Sequence, residues 1–456
     1  MSPVSVAVVG GGVSGLAAAH RLRTLLGAGA RITVLESGSR VGGVLRTVEL
    51  AGVAYDVGAE AFLARRPEVP ALLDELGLGG ELVHPGPAAP AVLAGGQVRA
   101  LAVRTMMGVP SSTSSVRGLV SAAALAQVAA EPQLPWRWRA GADPTVGELV
   151  RERLGPEVVA RSVDPLLGGV YSGSADTLGV RAAVPALAAA LDAGAPGLLA
   201  GVSAALPAPR PGVPVFAALR GGYQVLLDAL AATAEVRTRA AVTAVARTTA
   251  GWELVVGGRG ETYDAVVLAV PAPALERLLR RQVAVELASV AVVGLAYAAL
   301  PQLPDTSGLL VATGESLHAK AFTHSSRKWP HLGGDGPVLL RASLGRFGAS
   351  AVLERDDDEI VALVREDLHR VHGVTATPID AVVQRWTAGL PQYGPGHGAV
   401  VAELEGAVAA MAGLEVAGSV LHGVGVPACI GTGRGAAERV AAHLAPCSAR
   451  GETVAP

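Results

Sequence analysis

The chain has 456 residues, half of them hydrophobic, which is more than one ordinary core requires, so two or three domains are expected. Lys+Arg of 37 against Asp+Glu of 39, with no basic tract, speaks against nucleic acid as a partner. Cys429 and Cys447 form neither a CxxC pair nor a disulfide framework, so no metal site is expected and a reducing compartment fits.

In chain order, Val4 to Val9 is a valine-rich run, Gly10 to Gly12 follow, and helical spacing holds from Val13 to about Leu26. With the next strand at Ile32 to Leu35, this is a compact β-α-β unit. The opening run lacks a charged leader and is broken by Gly10 to Gly12, Ser14 and Gly15, so it reads as strand and turn rather than a signal peptide, and a cytoplasmic location is expected. A short helix is expected at Pro67 to Leu76. From about Leu101 to Leu206 few β signals appear, which predicts a mostly helical insert, with a capping box from Thr145 to Glu148. Residues Ala189 to Pro214 mix Ala, Gly and Pro and are expected to form a mobile connection.

A glycine turn then leads into a helix from about Tyr223 to Ala234. Three short strands follow within residues 240–248, 252–256 and 263–271, the last apolar enough to be buried on both faces. Ala291 to Arg346 is strand-rich. The apolar run from Leu287 to Pro304 is read as buried strand, because Glu286, Gly294 and Pro301 keep it short of a membrane span. A charged helix is expected at Asp358 to His372, a strand at Ala381 to Trp386, and a final helix from about Gly431 to Leu444. No fixed-period repeat is present.

Gly10, Gly12 and Gly15 make G-x-G-x-x-G directly after a strand and at the head of a helix. The first allows a tight turn, the second a close approach to pyrophosphate, and the third helix–strand packing. The helix N-terminus adds free N–H groups and positive dipole. Glu36 ends the second strand, where a carboxylate can bond ribose hydroxyls. NAD and FAD both satisfy this pattern, but Glu36, Arg40, Gly42 and Gly43 continue as E-x-x-x-R-x-G-G, which favours FAD.

At "GGVLRTVELAGVAYDVGAEAFLARRPEV" the chain begins to resemble the porphyrinogen oxidases of the flavin amine oxidase superfamily. The soluble bacterial type carries something close to G-P-E-S-F-L-A-R-K-P, which Gly58, Glu60, Phe62, Leu63, Ala64, Arg65 and Pro67 match. "LRGGYQVLLDAL", "RWTAGLPQYGPGH" and "GVGVPACIGTGRGAAERV" resemble three further family elements, and the similarity runs from Val4 to Leu444. Ala59 stands where proline is usual, Ala61 where serine is, and Tyr223 where a smaller residue is common.

The resemblance implies an amine oxidase-like fold of the α/β class, α+β overall, with a Rossmann-like FAD-binding domain, a strand-rich substrate domain and a mostly helical insert. The FAD-binding domain would comprise residues 1–75, 212–275 and 410–446, the insert 76–211, the substrate-binding domain 276–409 and a tail 447–456. By position, Gly10, Gly11, Gly12, Val13, Ser14, Gly15, Glu36, Ser37, Arg40, Gly42 and Gly43 would hold the adenosine and pyrophosphate, with Val242 beside the adenine through its backbone. Gly58, Ala59, Glu60, Trp386, Gly425, Val426 and Pro427 would surround the ribityl chain and flavin ring, the last helix directing its dipole at a reduced flavin.

The implied reaction is the six-electron oxidation of a porphyrinogen in haem biosynthesis, by three hydride transfers from bridging carbons to flavin N5, with O2 reduced to hydrogen peroxide. Coproporphyrinogen III is favoured because "EAFLARRP" looks like the soluble Gram-positive type; protoporphyrinogen IX is the alternative. Substrate propionates call for cations, and Arg65 and Arg66 are the candidates. "DPLLGGVYSGS" resembles a loop near the pocket, which makes Val170 and Tyr171 wall residues. No acid–base dyad is recognisable and no catalytic residue is assigned. Glu60 could orient pyrrole N–H groups or bond a nearby backbone. His397 is expected to abut a helix start, Cys429 to be a buried thiol, and Arg327 to Pro330 to form a structural turn. Of other classes, a flavin amine oxidase or carotenoid desaturase would want an aromatic cage, and only 3% of residues are aromatic. A non-catalytic tetrapyrrole-binding flavoprotein would hold a flavin that substrate does not reduce. The expected partners are a porphyrinogen and O2, without nucleic acid or stable membrane insertion; a transient contact with a ferrochelatase stays open.

Overall fold

Along β1 (Ser5–Val9) every residue is buried, and the strand's alternation sends Val6 and Val8 into one core and Ala7 and Val9 into another. That requires both faces of its sheet to be covered. The computed structural model describes residues 3–208, 212 and 214–445. In it, β1, α1 (Val13–Leu26) and β2 (Arg31–Leu35) form the expected unit at the centre of a five-stranded parallel sheet. The strand order is Glu235–Arg237, β2, β1, Ala265–Leu268, Leu414–Val416, so distant parts of the chain complete it. One face is covered by α1 and the helices Tyr223–Ala231 and Val426–Leu444. The other carries the helices Ala272–Leu279 and His397–Ala409 and an antiparallel sheet of Val242–Thr248, Gly251–Val256 and Arg259–Tyr263.

A second sheet has seven strands, in the order Asp380–Pro391, Leu287–Tyr297, Val338–Leu344, Ala319–Thr323, Gly308–Val311, Pro90–Ala94, Gln97–Ala100. The helix Asp357–His372 covers one face through Ile360, Val364 and Leu368. On the opposite face, the hairpin Thr47–Leu50/Val53–Asp56 packs at one end through Leu50 and Tyr55. The helix Asp164–Tyr171 packs on Gly308–Val311 and Ala319–Thr323 at the other.

The helices between Ala122 and Ala205 share a further core built on Val128, Val150, Leu187 and Val202, while the expected short helix forms at Glu68–Glu75 and packs beside α1 through Val69, Leu72 and Leu73. The capping box forms: Thr145 Oγ1 accepts from Glu148 N at 3.0 Å, and the Glu148 carboxylate accepts from Thr145 N at 2.9 Å, an arrangement that contributes about 1 kcal/mol.

Four expectations are revised. Residues 189–208 are not a loose connection, because most lie in the helices Pro185–Asp192 and Leu198–Ala205. Leu191, Leu198 and Val202 are buried there, and the carboxylate of buried Glu131, paired with Arg153 at 2.9 Å, accepts from Leu198 N at 2.8 Å. Residues 209–211 and 213, with the tail 447–456, lie outside the described residues. Pro90–Ala94 and Gln97–Ala100, grouped with the helical insert, are strands of the larger sheet, and the first pairs in parallel with Gly308–Val311. Arg259–Tyr263 is a strand absent from the expectation, its polar residues sitting on an antiparallel edge. The last helix starts at Val426, not near Gly431. Of its internal glycines, Gly433 is there for close packing: a Cβ on it would collide with Ser14 O of α1.

Candidate active site

The glycine cradle forms where expected. Gly10 has φ +105, in the left-handed half of backbone space, and any Cβ there would strike Ala269 O. A Cβ on Gly15 would strike Gly10 O, so α1 lies directly on β1. The second glycine pair folds back on the first, with Gly42 N donating to Gly11 O at 2.8 Å. Val13 and Ser14 fill the first turn of α1, which starts at Gly12 without a side-chain cap. The last helix likewise starts at Gly425 without one, with Val426 and Pro427 in its first turn. Two helix N-termini are thus left to bind an anion with backbone N–H groups.

Glu36 directly follows β2, which ends at Leu35, rather than ending it. Its Oε2 accepts from Gly11 N at 2.7 Å and its Oε1 from Gly38 N at 2.6 Å, while exposed Ser37 bonds the same carboxylate at 3.3 Å. Val242 is buried at the head of its strand, close by, since Ala240 N donates to Glu36 O at 2.8 Å. Arg40 donates to Val41 O, Leu45 O and Gly43 O, clamping the Gly42–Gly43 turn, and its guanidinium lies 5.7 Å from the centroid of Trp386. Burial lowers the pKa of Arg40. Trp386 is fixed in turn by Nε1 donating to Val57 O at 2.9 Å.

Gly58, Ala59 and Glu60 follow directly, and a Cβ on Gly58 would collide with Val44 O. Arg341 donates to Gly58 O at 2.9 Å and lies 3.4 Å from the Glu60 carboxylate, whose other oxygen is bonded by Lys328. Burial alone would raise the pKa of Glu60, but Lys328 and Arg341 hold it below the usual range. Glu60 is therefore engaged by side-chain cations, not by the nearby backbone. Beneath it Asp56 accepts from Thr47 Oγ1 at 2.5 Å and Tyr223 N at 3.1 Å, and burial pushes its carboxyl up to about 7. Sequence reasoning missed both cations. Lys328 lies in the Arg327 to Pro330 segment, read only as a turn, and Arg341 is a lone charge in the apolar strand "VLLRASL", a signal in itself.

The expected substrate residues are dispersed. Arg65 and Arg66 are exposed, and Arg66 Nε donates to both oxygens of Glu68 at 3.1 Å, so it is not a free clamp. Val170 is 46% exposed. Tyr171 is buried edge-on against Tyr393, centroids 5.8 Å apart, which makes it core, and burial raises its pKa. His397 opens a helix, stacks on Tyr393 at 4.0 Å and bonds Leu421 O at 2.9 Å. Cys429 is a buried thiol pushed up to about 11 by burial. No cluster of three potential metal-ligating side chains occurs among the described residues.

Residues 13–441 match the model of the flavin containing amine oxidoreductases. The chain belongs to this family. Among its relatives, the coproporphyrinogen III oxidase of Mycobacterium bovis is 50% identical, over 94% of this chain and 96% of that protein. Protoporphyrinogen oxidase 2 of Arabidopsis thaliana is 26% identical, over 97% and 95%. The crystal structure of a protein described as a putative protoporphyrinogen oxidase from Exiguobacterium sp. 255-15 superposes with a TM-score of 0.86 at 27% identity, covering 97% of this chain and 99% of that one.

The cofactor of this flavin oxidoreductase is FAD, and the cradle fits it. A Cβ placed on Gly12 would meet nothing nearer than Gly43 Cα at 4.0 Å, which leaves a gap between the glycine pairs for pyrophosphate beside two uncapped helix starts. No helix among the described residues is long and apolar enough to cross a membrane.

Proposed function

We propose that the protein is a coproporphyrinogen III oxidase: it converts coproporphyrinogen III and three O2 to coproporphyrin III and three hydrogen peroxide, a step of haem biosynthesis. The observation that carries this is near-full-length similarity, at 50% identity, to a relative bearing that name. FAD, when bound, supplies the two-electron acceptor that O2 reoxidises. The chain's own task is then to position and shield. Gly10 to Gly15, Glu36, Ser37, Arg40, Gly42, Gly43 and Val242 would hold the adenosine and pyrophosphate. Gly58, Ala59, Glu60, Trp386 and Gly425 to Pro427 would flank the flavin. Arg341 pins the Gly58 backbone, and Glu60 pairs with both Lys328 and Arg341. Exposed Val170 and exposed Arg65 would meet the substrate.

Protoporphyrinogen IX is the second candidate, supported by the more distant Arabidopsis relative. An amine oxidase would want an aromatic pair facing the flavin, whereas the Trp386 ring is covered by Arg40. The three-part division of the chain also belongs to this proposal, with residues 90–100 moved to the substrate side, as does a cytoplasmic location in which a ferrochelatase receives the product. Anaerobic mixing with each porphyrinogen tests the assignment. Coproporphyrinogen III should bleach the yellow flavin faster than protoporphyrinogen IX, and a spectrum that neither changes overturns it.

A further inference from the structure

A lysine buried in the seven-stranded sheet has no part in the chemistry above. Lys320 is 6% exposed. The pairing of Ala319–Thr323 with Val338–Leu344 slips between Ala319 and Ala321, so Lys320 and Ala321 together oppose Ser343. This bulge turns Lys320 away from the Asp357–His372 helix, which covers Ala319, Phe322 and Leu344, and onto the face that Arg341 shares. There Nζ donates to Ser172 Oγ at 2.7 Å and Gly345 O at 2.5 Å. Ser172 ends the Asp164–Tyr171 helix in a left-handed conformation, two residues after exposed Val170.

Arg346 follows Gly345 and makes one side-chain hydrogen bond, to Val311 O at 3.4 Å; a Cβ on Gly168 would collide with its guanidinium. No carboxylate among the described residues hydrogen-bonds either cation. The acid beside Arg346, Asp164, is taken by Ala175 N and Thr313 Oγ1, both at 2.7 Å, and the His318–Asp367 pair lies on the opposite side of the sheet. A buried ammonium without a counter-ion is costly, and burial together with Arg346 and Arg341 pulls Lys320 down to about 7. Of its three N–H donors two are used. Arg341, which bonds Gly58 O, lies on the strand Val338–Leu344 and Gly345 directly follows its end, so the two are about 13 Å apart at 3.3 Å per residue. A propionate-bearing tetrapyrrole placed at the Gly58 segment spans a comparable length.

We propose that Lys320 and Arg346 form a buried carboxylate subsite that takes a propionate of the porphyrinogen at the end of this sheet face remote from Gly58. The subsite rests on the porphyrinogen assignment. Its test uses the FAD-loaded enzyme, with equilibrium titrations of coproporphyrin III and of its tetramethyl ester alongside steady-state kinetics with coproporphyrinogen III. Lys320→Met should raise the Kd for the free acid and the KM for coproporphyrinogen about tenfold, the loss of one charged hydrogen-bonding partner. Binding of the ester and kcat should stay within about twofold, and Lys320→Arg should restore most of the loss. Equal weakening of acid and ester would mean a merely structural tie between Ser172 and Gly345, and would overturn the subsite, as would unchanged constants. Arg346→Gln, which spares those two contacts, is read by the same criterion if Lys320→Met does not fold. A wild-type enzyme that coproporphyrinogen III reduces, paired with insensitive variants, removes the subsite alone. A wild-type enzyme that is not reduced removes both.

Discussion

Glu60 shows how one carboxylate organises the ground around the Gly58 segment. With 16% of its side chain exposed, it sits between Lys328 and Arg341 in a largely buried triad, and removing the carboxylate would leave two cations facing each other. Arg341→Ala deletes one cation and the hydrogen bond to Gly58 O. Glu60 keeps Lys328, so the loss is that of the charged hydrogen bonds: the stability of the holoenzyme should fall by about 2 kcal/mol and FAD should loosen, read as a lower Tm and as flavin fluorescence released on dilution. Arg341→Lys should recover the charge but not the reach to both Gly58 O and Glu60, and so should fall between the two. Lysine and arginine positions such as Arg341, Lys328 and Lys320 were legible only as isolated charges in apolar surroundings. What each one meets lies up to 285 residues away in the chain.

The helices α1 and Val426–Leu444 are the pair on which the cradle depends. Both begin without a side-chain cap, and they touch where Gly433 faces Ser14 O. Gly433→Ala should raise helix propensity by about 1 kcal/mol yet destabilise the protein, because the new methyl group forces the helices apart at the cradle. A reduced share of bound FAD in purified protein, with a lowered Tm, is the expected outcome; unchanged FAD content would show that the contact is slack. Thr145→Ala, in the capping box far from the cradle, should cost about 1 kcal/mol in thermal or urea unfolding with kcat unaltered. The capping box was legible because its four residues are consecutive. The start of the last helix was not, since glycines chosen for helix-to-helix contact look the same in a sequence as glycines chosen for a loop.

Across the molecule, two sheets are threaded so that no long stretch of chain builds either alone, and burial extends to titratable groups outside the Glu60 triad. His324 is fully buried, bonds Thr306 O at 3.0 Å and stacks edge-on against His372 at 5.1 Å. Burial and the neighbouring His372 depress its pKa from 6.5 to about 4. The unfolded chain therefore takes up a proton at pH values where the native state refuses it, so stability falls as pH drops from 6.5 toward 4, by about 3 kcal/mol. His324→Asn, which keeps a donor for Thr306 O, should flatten the pH dependence of urea unfolding over that window. A slope equal to wild type would assign the acid sensitivity elsewhere.

Local signals carried the β-α-β unit, the glycine cradle, the capping box, the buried strand at Leu287 and the family resemblance. Each rests on residues within a few turns or one strand of each other, where periodicity and backbone conformation act directly. Strand order, the recruitment of Pro90–Ala94 to the larger sheet, the Glu60 triad and the setting of Lys320 depend on which distant segments pack together. Desolvation and ion pairing are properties of that packed interior, and a linear sequence does not say which side chains will share it.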